Sequence, residues 1–246
     1  MTKVKIKADK IITNYLRTNL TDVNSSRLGN WIFPDFPRVV DLGNASFPRI
    51  GITIISDGSD MMGFNDNTQW HNINIQIDVV TKKDLSFTKT ISDEALGTMA
   101  ATSNSDRMVF DYSPSTVTNI KHAGTSYGTV TIRATDSAFT TPATGTVEVS
   151  YSTGNVNFSA ADIVSGDTEA ITSTYTVVME GKKAVEHLAQ EIVKLLRSNW
   201  RKNSELTGIQ KLSLINNSSV PIDEDLGIFR QMLEYNVSMI NVGEGI

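Results

Sequence analysis

The sequence predicts an α/β fold: a small, mostly antiparallel sheet packed by a long helix and an N-terminal helix, with an inserted all-β domain. Three observations carry this. First, Gly181 to Lys202 (GKKAVEHLAQEIVKLLRSNWRK) repeats apolar residues at three- and four-residue steps: Ala184, Val185, Leu188, Ile192, Leu195, Leu196 and Trp200. That spacing draws one broad stripe on a helix, and Lys183, Glu186, Glu191, Lys194, Arg197 and Arg201 fall on the other side. Second, β-branched runs flank the helix: Arg49 to Asp57 and Gln69 to Val80 before it, Gly208 to Asn216 and Ile228 to Val242 after it. Third, the segment between the second strand and the helix changes character, becoming rich in Asn, Ser and Thr and broken by Gly and Pro. The expected organisation is a discontinuous scaffold of residues 1–84 and 180–246, with residues 85–179 as a β-rich domain or arm.

The scaffold opens with Ala8 to Leu20, an amphipathic helix with Ile11, Ile12, Tyr15, Leu16 and Leu20 on its apolar side. The turn-rich stretch Asp22 to Pro37 follows and contains Trp31, Phe33 and Phe36. Large rings in a loop either pin it to its own sheet or meet a neighbouring subunit. Pro48 precedes the first strand, where a missing amide hydrogen costs the ladder nothing. Ser56 to Thr68 reads as a hairpin loop or flap, and its Met61, Met62 and Phe64, set among acidic and Asn residues, make it the first interface candidate.

In the second strand Ile73, Ile75, Ile77 and Val79 alternate with Asn72, Asn74, Gln76 and Asp78. This period of two places the aliphatics in the core and leaves Asn72, Asn74 and Gln76 exposed or interfacial. A short helix is expected at Ser92 to Ala100. Short strands then follow at Arg107 to Tyr112, Thr116 to His122, Gly128 to Ala134, Gly145 to Tyr151, Asn155 to Phe158 and Thr174 to Val178, with a turn at Ser152 to Asn155. After the long helix, an acidic loop from Asn216 to Gly227 separates the last two strands, and Gln231 with Met232 marks either a bulge or the start of a more regular register at Leu233.

Composition narrows the function classes. The 246 residues carry a net charge of −5 and no cysteine, which removes disulfide and thiolate chemistry and argues against a coat for nucleic acid. No run is apolar enough to span a bilayer, and MTKVKIKADK lacks the apolar core of a secretory signal. His71, His122 and His187 have no local metal-ligand spacing, and neither a GxSxG elbow nor a phosphate-binding glycine loop occurs. The acidic stretches SDGSD and PIDEDLG are the places where a hard cation would sit. Their bland reading is solvated turns, with Asp223, Glu224 and Asp225 available for a charged contact. The sequence therefore predicts no enzyme, resident metal or cofactor.

The N-terminal helix, ASFPRIGITII, QWHNINIQIDVVTKKD, GKKAVEHLAQEIVKLLRSNW and the closing GIQKLSLINNSSVPIDEDLGIFRQMLEYNVSM together resemble the tail terminator and tail completion (neck) proteins of tailed bacteriophages and archaeal tailed viruses. The likeness covers residues 1–84 and 180–242. It implies a structural virion protein, assembled in the host cytoplasm, that forms a hexameric ring on the head-proximal end of the tail tube. Such a ring ends tube polymerisation, joins the tail to the neck or head connector, and lets genomic DNA pass without reading its sequence. Arg49 and Arg230 match basic positions beside strands in such proteins, and Asn72, Asn74 and Gln76 would lie on the joining surface. The net charge and acidic loops add the expectation of an acidic channel wall.

The alternatives are a neck or head-completion protein on the connector side, or a carbohydrate- or surface-binding virion protein acting through the insertion. The last would need Phe110, Tyr112, Tyr127, Phe139, Tyr151 and Phe158 to form a binding platform and not a small core.

Overall fold

The computed structural model describes residues 8–24, 27, 29–35, 47–61, 68–98, 108–159, 161–162, 170–199, 206, 208–223 and 227–242. In chain order its elements are α1 (Ala8–Asn19), β1 (Ile32–Pro34), β2 (Arg49–Met61), β3 (Thr68–Lys82), β4 (Ser86–Thr98), β5 (Thr116–His122) and β6 (Thr125–Ser126). They continue with β7 (Thr129–Arg133), β8 (Thr146–Ser150), β9 (Val156–Phe158), β10 (Ala170–Glu180), α2 (Gly181–Asn199), β11 (Ile209–Asp223) and β12 (Ile228–Val242). The fold is α/β and mostly strand, with several sheets. Contacts divide it into two compact units, Met1–Phe87 with Glu180–Ile246, and Thr88–Met179.

In the first unit the sheet runs β1-β2-β3-β12-β11. Only β1 and β2 are parallel; every other pair is antiparallel. Ile50, Ile52, Ile73, Ile75, Ile77, Val79, Leu233 and Val237 line the face that meets the helices, and all are fully buried. From α1 come Ile12, Tyr15 and Leu16; from α2 come Val185, Leu188, Ala189, Ile192 and Leu196. Each aliphatic buried this way is worth roughly 1.5–3 kcal/mol of transfer free energy, so the alternation in β3 decides which face the helices cover. The Tyr15 hydroxyl donates to the Leu195 carbonyl at 3.3 Å, which ties the two helices together.

Several expectations are corrected. The loop Asp22 to Pro37 contains β1, and Trp31 and Ile32 are buried in the core, so of the two expected roles Trp31 takes that of pinning the segment to its own sheet. Arg17 fixes β1 by donating to the Ile32 carbonyl at 2.6 and 2.9 Å. The flap at 56–68 is mostly ladder: β2 continues to Met61 and β3 starts at Thr68. The acidic loop at 216–227 is likewise mostly strand, since β11 pairs with β12 as far as Asp223. Antiparallel pairing with a long neighbour outweighs the turn-forming residues, and Pro221 is tolerated because β11 is an edge strand. No bulge occurs at Gln231 and Met232, where β12 pairs with β3 without a shift. Register shifts fall instead at Ile54/Ser56 in β2 and at Ile209/Lys211, Leu214/Asn216 and Pro221/Asp223 in β11. His187, expected near the polar boundary of its helix, is buried.

Gly181 makes the corner from β10 into α2 with φ at +46°, and a Cβ there would meet the Phe229 ring at 3.0 Å. Thr81 donates its hydroxyl to the Gly181 carbonyl at 3.0 Å, so the corner is fixed from both sides. Gly181→Ala is expected to lower unfolding stability by about 1–3 kcal/mol. Urea titration checks this, and an unchanged midpoint would show that the corner relaxes freely.

The second unit holds a four-stranded sheet, β4-β10-β5-β6, and a three-stranded one, β7-β8-β9. Ile120, Val147, Val149, Val156, Ile171, Tyr175 and Met179 are among its fully buried residues, with Phe110 edge-on to Tyr175 at 4.6 Å. The helix expected at Ser92 to Ala100 is absent: through Thr98 the chain is strand β4, paired with β10, and residues 99–100 lie outside the described set. Exposure alternates from Ser86 to Ser92, a period of two that the helical reading overlooked. Of the strand expected at Arg107 to Tyr112, the described residues 108–112 form a bridge between Val109 and Asn155, and Arg107 lies outside the described set.

Glu148 is this unit's buried charge. Burial alone would raise its pKa, but the Thr140 amide and hydroxyl, both at 2.7 Å, Arg133 at 2.5 and 2.8 Å, and Asn157 at 3.2 Å donate to it. These donors hold the carboxyl at about 2 against an ordinary value of 4.5. A depressed folded-state pKa contributes stability above the unfolded value, here 4.5, and that contribution disappears as pH falls through about 2. Glu148→Gln is expected to cost about 2–4 kcal/mol at neutral pH and to flatten the acid limb of the stability curve. Chemical denaturation at pH 7 and pH 3 tests both; an equal loss at the two pH values would rule out the ionic contribution.

Candidate interface on the open sheet face and its edges

Opposite the helices, the first unit's sheet presents a row of amides and hydroxyls. Register aligns Ser56, Asn74, Asn236 and Ser213 across the four long strands, and likewise Gly58, Asn72, Ser238 and Lys211. The side chains are joined along these rows. Asn236 donates to Asn74 at 3.0 Å and Asn74 to Ser56 at 2.9 Å, while Ser238 and the Trp70 indole donate to the Asn72 oxygen at 2.9 and 3.2 Å. Asn72 is exposed, and Asn74 and Gln76 are half-buried. Cross-strand hydrogen bonds of this kind hold side chains flat against the sheet and make the face stiff as well as polar.

The ladder ends in an ion pair. Asp78 is buried and accepts from Arg230 at 2.7 and 2.8 Å and from Gln76 at 2.9 and 3.0 Å. Arg49 shares a row with Arg230, separated by Val80. Its guanidinium lies 5.4 Å from the Phe33 ring centre, and burial, then the nearby charge of Arg27, lowers its pKa from the ordinary arginine value. Phe33 and Arg49 thus contact each other within the chain. The predicted candidates Phe36, Met62, Phe64, Glu224 and Asp225 lie outside the described residues, while Met61 ends β2 and Asp223 ends β11.

The edges are the second part of the surface. At one side β1 covers β2 only from Ile50 to Ile52, so no described strand pairs with the outer edge of β2 from Thr53 to Met61. At the other side β11 is the outermost strand. In the first unit the exposed large hydrophobics among the described residues are Ile55, Leu214 and Ile215, at 53%, 41% and 59%, all at the Ile54/Ser56 and Leu214/Asn216 shifts. Beside β11 a groove of about 530 Å³ is lined by Gln190, Val193, Lys194 and Arg197 of α2 and by Asn217.

Sequence reasoning found the ladder's β3 members from their period of two but missed Ser56, Asn236, Ser238 and the buried role of Asp78. It also missed the two edges. The available signal was the adjacent aliphatic pairs Ile54-Ile55 and Leu214-Ile215, because two neighbours in a regular strand cannot both face the core.

The SDGSD stretch lies in β2 and not in a loop, with Asp57 3.3 Å from His71. Among the described residues no group of three or more metal-ligating side chains converges, and no helix is long and apolar enough to cross a membrane. In the second unit Phe110 and Phe158 are core, Tyr112, Tyr127 and Phe139 are half-buried and Tyr151 is exposed, so the six aromatics form no shared platform. No family model, curated protein or solved structure matches this chain.

Proposed function

We propose that this protein is a ring-forming structural component of a virus tail, acting at the head-proximal end of the tail tube as a terminator or completion protein. The observation that carries the reading is the stiff sheet face of Asn72, Asn74, Gln76, Asn236 and Ser238, backed on its other side by two helices. A wall of amides bonded to one another offers few fixed cations to phosphate, so DNA passing it makes few of the contacts that produce tight, salt-sensitive binding. Residues 85–179 are, on this reading, an inserted all-β domain that decorates or clamps the ring. The protein works without catalysis or cofactor; its partners are its own copies, the tube protein and the neck or connector protein.

Absolute mass and symmetry in solution, followed by electron microscopy with polymerised tail-tube protein, test the reading. A closed ring that caps tube ends is expected. A monomer that neither closes nor binds tube ends would overturn it, and a ring that binds only the connector would place it on the neck side.

A further inference from the structure

We infer that the ring closes by β-sheet continuation, with the β11 edge of one copy pairing antiparallel with the free edge of β2, from Thr53 onward, on the next copy. This rests on the ring-forming reading above and names the contact that reading requires. Strand direction comes first. β2, β3, β12 and β11 alternate, so β11 runs antiparallel to β2 within one chain. Rotation about a ring axis that runs along the strands preserves their direction, and in that arrangement the β2 of the next copy arrives beside β11 in the antiparallel sense that continues the sheet. A head-to-tail contact of this kind repeats around the axis, whereas β11 against β11 would stop at a two-fold dimer.

Burial points to the same edges. Open strand edges are ordinarily blunted by charge, proline or cover, yet these two carry the three exposed large aliphatics among the first unit's described residues. The bulged residues Ile55 and Ile215 lie on either side of one row, Ile54–Ile75–Tyr235–Leu214, so sheet continuation about an axis along the strands brings the two to neighbouring heights. Charge is complementary on the helix side. Asp57 stands on the β2 edge in the row of Ile73, and Lys194 and Arg197 line the groove beside β11. An acidic edge meeting a basic groove favours the head-to-tail pairing over either edge meeting itself.

The chain contains no cysteine, so introduced thiols report without background. Ile55→Cys is mixed, as a separate protein, with Ser213→Cys, Ile215→Cys or Asn217→Cys, which together sample the register. The mixtures are oxidised and run without reductant. At least one is expected to give roughly tenfold more linked dimer than any single variant alone, because thiols whose Cα atoms lie beyond about 7 Å do not bridge. The matching double variant should give a ladder of multimers. Equal linking by a single variant alone would overturn the inference in favour of a two-fold contact. A closed ring by native mass with no linking in any mixture would overturn the edge contact and leave the ring reading standing. Ladders from open chains that fail to cap tubes would uphold the contact and defeat the tail-end reading, and a monomer with no linking would defeat both.

Discussion

Asp78→Ala is expected to lower unfolding stability by about 3 kcal/mol, the loss typical when one partner of a buried ion pair is removed. The carboxylate is 3% exposed and takes bonds from both Arg230 and Gln76, so its removal strips two donors at once. The Arg230 side chain is 27% exposed and recovers some water, which keeps the cost from being larger. Arg230→Met alone should be comparably harmful because it leaves a buried carboxylate with only an amide beside it. The double variant Asp78→Leu with Arg230→Met should recover most of the loss, since an apolar pair removes both charges from the interior. Guanidinium denaturation of the unmodified protein, Asp78→Leu, Arg230→Met and the double variant completes the cycle; additive losses would show that the two side chains act independently.

Ile77→Ala is expected to cost about 3–5 kcal/mol. Ile77 sits in the middle of one row with Ile52 and Leu233, and all three are fully buried in the cluster that joins the sheet to the helices. A central strand with rigid neighbours on both sides has little room to collapse into the space left by three missing carbons, which sets the expectation near the upper part of the usual range. Thermal and urea unfolding test it. A loss below about 1 kcal/mol would mean that the site repacks and that the sheet is more plastic than its ladder implies.

How much of this was legible depended on whether the determining interaction was local. The stripe of α2 and the alternation in β3 are local, and both gave the correct face: Ile73, Ile75, Ile77 and Val79 are buried, and Asn72 points outward. The lengths of β2 and β11 were not local. Ser56 to Met61 and Asn217 to Asp223 contain the Gly, Asn, Asp and Pro of loops, and they are strands because a long partner lies alongside. Trp31 shows the same limit from the other direction. Its loop reads as irregular, yet three residues of parallel pairing with β2 are enough to fix the ring in the core. The ladder was half visible, because its β3 members announce themselves by period while their partners in β12 depend on a register that no single stretch encodes.

The pairing of β3 with β12 also sets a timetable. Lys82 pairs with Ile228, and Thr68 with Val242, so the two central strands are made far apart during synthesis. At about 5–20 residues per second, β3 leaves the ribosome roughly 7–30 s before β12 begins to follow it. The intervening Thr88–Met179 is a compact unit with its own internal contacts, and it has all of its strands before β12 exists. Until α2 is made late in that interval, β2 and β3 form a hairpin whose Ile73, Ile75 and Ile77 have neither α2 above them nor β12 beside them. Slow translation after Lys82, or loss of a chaperone that shields aliphatic hairpins, should therefore reduce the yield of soluble protein while leaving the stability of the finished fold unchanged.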